Sequence, residues 1–208
     1  MKLLLSGGGA NKPLDEYFIS QIDLKGTVLF IPIAWDESFS PYNHCFEHFS
    51  NIYNHYGIKN IEMCTDLFSI QNLHKYNAIY FEGGNTFKLL KAIKESKFDL
   101  KIIEYLNNNG LIYGFSAGAI IFGNSIESAY FNDDNDVDLV DLTGLNFVGG
   151  NDIFCHYSEN DNEENEYIKN YPNDLLILCD GSGLLVQDSK IQSMGKMYLN
   201  KNDIRKNK

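Results

Sequence analysis

The sequence predicts an α/β protein with a mainly parallel sheet flanked by helices in three layers, closed by an antiparallel hairpin near the C-terminus. Three observations carry this expectation. Short, continuously apolar runs alternate with segments of helical period, the pattern of a sheet buried on both faces by crossover helices. Two of the apolar runs end in glycine turns that lead straight into a helix. The last two runs, Leu184 to Gln187 and Ile191 to Met194, are separated only by Asp188-Ser189-Lys190, a hairpin spacing.

Taken in order, Leu3-Leu4-Leu5 is a first strand ending at Ser6-Gly7-Gly8-Gly9, and Leu14 to Ile22 a first helix. Thr27 to Ile31 is a second buried strand, stopped by Pro32, and Tyr42 to Tyr56 a long helix. Lys59 to Met63 and Ala78 to Phe81 are the third and fourth strands. Thr86 to Ile93 places apolar residues at helical spacing, and Glu95 to Asn108 is a helix stopped at Gly110. Leu111-Ile112-Tyr113 leads to Ser116, Asp152 to Tyr157 is a strand-like run, and Leu175 to Leu178 opens the closing strands. No linker or repeat divides the chain, so residues 1–208 are expected to form one domain, with 199–208 a frayed polar tail.

Composition narrows the function. With 208 residues, 44% of them hydrophobic, the chain has material for a substantial core. A net charge of −11 argues against nucleic acid, whose phosphates would be repelled. No apolar stretch is long enough to span a bilayer, and Met1 to Leu5 is too short for a signal sequence. Cys45, Cys64, Cys155 and Cys179 lack paired spacing and read as reduced, buried thiols, so a cytoplasmic location is expected.

The most informative stretch is Tyr113-Gly114-Phe115-Ser116-Ala117-Gly118-Ala119. One serine between two glycines, after an apolar strand and before a helical run, is the G-x-S-x-G pattern of a nucleophile elbow. Glycine suits both flanks because a Cβ there would crowd neighbouring backbone. An ordinary strand-turn-helix with a capping serine has the same appearance. Among five histidines only His156 follows Ser116. It ends an apolar run where the chain turns polar, well placed to face a cleft, and a serine hydroxyl needs such a base. Cys155, adjacent on the strand, should point to the opposite face. The second glycine turn, Glu82-Gly83-Gly84-Asn85, allows close backbone approach to a ligand; Gly83 and Asn85 read as substrate-binding, with Asn85 also a helix cap. Amides of Gly84 and Ala117 would form a two-donor oxyanion hole. His44 and His48, four apart on one helix, lack a third metal ligand in the sequence, and no metal is assigned to them.

Gly83-Gly84-Asn85-Thr86, then Gly114 to Ala119, then Cys155-His156-Tyr157, in that order, resemble the dipeptidase E family of serine peptidases, to which cyanophycinase is related. The resemblance extends from Ser6-Gly7-Gly8-Gly9 through the closing strands. It implies a fold like that of class I glutamine amidotransferases, with serine in place of their cysteine. It also implies cofactor-free hydrolysis of small peptides through an acyl-enzyme, with Ser116 as nucleophile, His156 as base, and Gly84 and Ala117 as oxyanion donors. Two candidates remain for the acid that orients His156. Asp180, at the end of Leu175 to Cys179, is favoured. Asp133, in the run Asn132 to Asp138, matches the aspartate position of dipeptidase E itself; that run also reads as a solvated loop or weak cation site. Departures from the family affect specificity. No basic residue follows His156 before Lys169, and the sole arginine is Arg205, so the cation that would hold an aspartyl side chain is not visible. The acidic run Glu159 to Glu166 should instead repel such a side chain and attract an amino terminus or a basic substrate. A homodimer is left open. Rival readings are an α/β-hydrolase-like esterase, disfavoured because His156 lies far from the C-terminus, and a non-catalytic relative that binds a metabolite or peptide.

Overall fold

A computed structural model describes residues 1–188 and 190–198. Ser189, the tail from 199 onward and with it Arg205 lie outside the described residues. Ten strands and six α-helices follow in the order β1 (Lys2–Ser6), α1 (Lys12–Ser20), β2 (Val28–Ile31), α2 (Tyr42–His55), β3 (Ile61–Met63), β4 (Ala78–Phe81), α3 (Thr86–Glu95), α4 (Phe98–Asn107), β5 (Leu111–Phe115), α5 (Ala117–Ile120), β6 (Asp152–Tyr157), α6 (Asn162–Asn170), β7 (Leu175–Cys179), β8 (Gly183–Gln187), β9 (Lys190–Met194) and β10 (Met197–Tyr198). The first sheet has seven strands in the order β3-β2-β4-β5-β1-β8-β9. Its first five strands run parallel, and β8 and β9 add an antiparallel edge.

The apolar runs follow from burial on two faces. Leu3 and Leu5 of β1 point into one core with Phe87 and Leu90 of α3 and Ile102 of α4. Leu4, between them, points into the opposite core with Leu14 and Phe18 of α1 and Phe49 and Tyr53 of α2. Period-two alternation therefore buries every β1 side chain except that of its first residue. The second core is unusually aromatic: Tyr80 stacks on Tyr113 at 4.9 Å between ring centres, and Phe49 on Tyr53 at 4.1 Å.

Three features differ from the sequence expectation. The run containing His156 does not join the main sheet. β6 pairs in parallel with β7, and β10 with the other edge of β7, in a separate three-stranded sheet. The acidic segment expected as an open rim is the helix α6, whose capping residue Asp161 accepts from the amides of Glu163 and Glu164. Glu164 in turn accepts from the amide of Ser158 at 2.6 Å, and Glu159 pairs with Lys196. These carboxylates are thus engaged in holding their own helix and strand. The helix expected from Glu95 begins at Phe98, because α3 continues through Glu95 and Lys97 then turns left-handed at φ 54°. Cys45 and Cys179 are half-buried, whereas Cys64 and Cys155 are buried; all four are unpaired.

Asp152 anchors the start of β6. It is fully buried and accepts hydrogen bonds from the Ser125 amide at 2.6 Å, the Tyr171 hydroxyl at 2.7 Å and the Asn173 side chain at 2.9 Å. Removing it takes an acceptor from the Ser125 amide, the Tyr171 hydroxyl and the Asn173 side chain at once. Asp152→Ala is therefore expected to cost about 2–4 kcal/mol in urea unfolding; an unchanged midpoint would show that the anchor is dispensable.

Candidate active site

The site forms where the two sheets meet at their strand ends. β5 leaves the main sheet at Phe115, and the chain bends at Ser116 into α5, with Ser116 at φ 52° and ψ −111°. That conformation is costly for a non-glycine residue and persists only where its surroundings enforce it. The flanking glycines are sterically required here. A Cβ on Gly114 would stand 2.1 Å from the Gly118 carbonyl oxygen, and one on Gly118 would stand 2.5 Å from that of Phe81. The Ser116 amide donates to Ser6 of β1 at 3.0 Å.

Ser116 Oγ lies 2.7 Å from His156 Nε2, and His156 Nδ1 lies 2.8 Å from Asp180 Oδ1. A carboxylate can only accept, so Nδ1 carries the proton that faces Asp180. Nε2 is then free to accept from the serine hydroxyl. Asp180 follows β7 directly, and β6 and β7 are neighbours, so the second sheet brings the two residues together. Pairing in that ladder is irregular between Phe154 and Tyr157, and His156 is held at φ 61°. Two residues in the left-handed region thus face each other across this contact.

Asp133 occupies a different position. Its carboxylate accepts from the Thr86 amide at 2.8 Å, at the first turn of α3. Burial pushes its carboxyl up, opposed by hydrogen bonds from Thr86. The rest of its acidic loop is clasped by α3: Lys91 donates to the Val137 carbonyl at 2.7 Å, and Lys94 pairs with Asp141 at 2.6 Å. Among the described residues, no three His, Cys, Asp or Glu side chains converge as a metal site.

The glycine turn after β4 abuts the serine. A Cβ on Gly83 would lie 3.3 Å from Ser116 Cβ. Gly84 is exposed, at φ 134°, and no backbone acceptor takes its amide. Ala117 begins α5, so its amide lacks an intrahelical acceptor as well. Asn85 caps α3 by accepting from the Lys88 amide at 2.9 Å, and donates to the Asp134 carbonyl at 2.7 Å. Both ends of its side chain are engaged within the fold, so it shapes the loop instead of facing a ligand. Cys155 is buried behind the bend, its Sγ 3.8 Å from the Ser116 carbonyl oxygen. Burial pushes its thiol far up, which keeps it protonated and unreactive.

One contributor escaped the reading of the sequence. Gly8, in the loop after β1, has φ 117°, and a Cβ there would stand 2.2 Å from His156 Cε1 and 2.6 Å from Asp180 Oδ1. The imidazole and carboxylate lie directly on this glycine. Its neighbours fix the pair from below: the His156 amide donates to Gly7 at 2.9 Å, and the Gly181 amide to Gly8 at 2.7 Å. The only signal available was the glycine run itself.

The profile of Peptidase family S51 matches residues 3–194. The chain belongs to this family. Family membership makes it a serine-type peptidase, a hydrolase whose substrates are peptides. Two solved structures share its fold. A protein described as a candidate peptidase E from Listeria monocytogenes EGD-e is 23% identical, with a TM-score of 0.75 over 92% of this chain and 96% of that one. A peptidase from an acI-B1 Actinobacterium is 15% identical, with a TM-score of 0.70 over 96% of this chain and 90% of that one. No curated protein matches the chain significantly. Among the described residues, no helix is long and apolar enough to cross a membrane.

Gly8→Ala should displace the His156 ring while the buried cores stay intact. Labelling of Ser116 by a serine-reactive fluorophosphonate is expected to slow by about 10²-fold or more, with little change in circular dichroism. An undiminished labelling rate would show that the imidazole tolerates the added methyl.

Proposed function

We propose that this family S51 peptidase is an exopeptidase of small peptides, acting through an acyl-enzyme on a Ser116–His156–Asp180 triad. The observation that carries the reading is the continuous line of two short contacts, 2.7 Å from Ser116 to His156 and 2.8 Å onward to Asp180. In this scheme Ser116 Oγ attacks the scissile carbonyl carbon while its proton passes to Nε2. Asp180 holds the ring by its Nδ1–H and stabilises the imidazolium that forms. The carbonyl oxygen becomes an oxyanion, which takes hydrogen bonds from the amides of Gly84 and Ala117, with the Gly83 backbone forming the wall beside it. The carbon–nitrogen bond then breaks, and Nε2 returns the proton to the departing amine. Water, deprotonated by the same nitrogen, attacks the ester and releases the acid, restoring Ser116. No step calls for a cofactor.

Short substrates are favoured by the likeness to a protein described as a candidate peptidase E. Aspartyl preference is not part of the proposal, because the region after His156 supplies carboxylates and no arginine. The four unpaired cysteines support a reducing, cytoplasmic setting.

The test is a panel of X-Leu dipeptides assayed together with fluorophosphonate labelling. Ser116→Ala should lose both labelling and turnover. His156→Ala should lower kcat by roughly 10³-fold or more, and the double variant should lose little further, since the pair acts as one unit. Labelling that survives Ser116→Ala, or a panel wholly resistant to the wild-type protein, would overturn the reading.

The two acids separate cleanly. Asp180→Asn should lower kcat by about 10³–10⁴-fold by stabilising the wrong imidazole tautomer. Asp133→Asn should weaken the contact to the Thr86 amide and keep kcat within tenfold. The reverse order in kcat would assign the orienting role to Asp133.

A further inference from the structure

Beside Ser116, on the face of the main sheet covered by α1 and α2, lies a cavity of about 400 Å³. It sits at the carboxyl ends of β4 and β5, where parallel sheets present ligands. Its wall is aromatic, formed by Phe49, Tyr53, Tyr80 and Phe115, and two half-buried carboxylates, Asp15 and Glu82, open into it. We propose that this cavity receives the cationic side chain of a lysyl or arginyl residue in the substrate, held by Asp15 and Glu82 against the aromatic wall. The inference rests on the proposed peptidase reading for its position next to the scissile bond, and it names the substrate class.

The carboxylates come from different elements. Asp15, on α1, accepts from the Tyr113 hydroxyl at 2.7 Å, and Glu82, after β4, accepts from the Gly83 amide at 2.9 Å. Neither takes part in an ion pair among the described residues, although seven such pairs occur elsewhere. Among the described residues, no lysine or arginine lines the cavity. Burial pushes both carboxyls up, opposed by the hydrogen bonds from Tyr113 and Gly83. An arriving ammonium or guanidinium offsets the cost of that burial. The aromatic lining offers an apolar surface to its methylene stem. An anionic side chain would meet two carboxylates and no counter-charge. His48 lies at the edge of the cavity but does not complete a metal site with the two acids.

The cavity's lining includes the residues that precede the reacting groups in the chain. Phe115 immediately precedes Ser116, and its ring lies against Gly83, where a Cβ would be 3.1 Å from Phe115 Cδ1. Glu82 precedes the same glycine turn. In the proposal, the residue whose side chain enters the cavity presents its carbonyl to Ser116.

The experiment compares arginine with citrulline, which keeps the shape and replaces the charge. Binding of arginine amide and citrulline amide to Ser116→Ala protein is measured by titration calorimetry, and hydrolysis of Arg-Leu and citrullyl-Leu by the wild-type protein. Arginine amide should bind about tenfold more tightly or better, and kcat/KM should favour Arg-Leu by a similar ratio. Asp15→Asn and Glu82→Gln should each bring these ratios toward one, so a folding failure in either variant leaves the other to report. Equal binding of the two amides would assign recognition to their shared α-ammonium and overturn the proposal, as would failure of both to bind. Selective arginine binding together with no hydrolysis of any peptide would sink the peptidase reading and leave the cavity's assignment standing.

Discussion

The architecture depends on four residues, Ser6 to Gly9, strung between two sheets. Ser6 takes the Ser116 amide, Gly7 takes the His156 amide and Gly8 takes the Gly181 amide, so a single extended loop bonds to each of the three chain segments that meet at the site. Side chains would prevent this. A Cβ on Gly7 would stand 2.5 Å from that of Leu178, and Gly8 lies flat beneath the imidazole. The loop therefore sets both the spacing of the two sheets and the height of His156 above its support. A hydroxyl–imidazole contact of 2.7 Å between residues on different sheets needs such a shared reference, because neither sheet alone fixes the other's position.

Much of this was legible in the sequence. Continuous apolar runs such as Leu3-Leu4-Leu5 and Ala78 to Phe81 gave their strands because burial on both faces leaves no polar alternation to confuse them. The glycines around Ser116 announced a close approach that the backbone confirms. What remained hidden was long-range. Leu175 to Cys179 has the same apolar texture whether it extends the main sheet or joins another, so the second sheet left no local signature. The helix α6 went unread because only Glu164 and Ile168 of its nine residues are buried, and its polar composition resembles a loop. Asp180 and Asp133 could not be separated from spacing alone. The geometry differs because Asp180 ends the strand beside β6, whereas Asp133 sits at the first turn of α3.

Charge is distributed unevenly in its engagement. Across a chain of net charge −11, most carboxylates near the site are already committed: Asp161 and Asp133 to helix ends, Glu164 to a loop amide, Glu159 to Lys196. Asp15 and Glu82 differ in where they open, into the cavity behind Phe115, with no ion-pair partner among the described residues. Reading acidity from the sequence placed it on the α6 side of His156, while the carboxylates that open into a cavity lie across the sheet, behind Phe115. A run of like residues says little about electrostatics until the donors that neutralise it are known.

The pairing of β1 carries a kinetic consequence. Its neighbours are β5, reached from residue 2 at residue 111, and β8, where residue 6 meets residue 183. Closing loops of that length is entropically slow, so the centre of the sheet is completed late in folding, well after helices such as α3 and α4 have formed locally. Ser116, His156 and Asp180 are joined through this same strand and its loop. A chain still lacking β6 to β8 has Ser116 without the segments that hold His156 and Asp180 beside it.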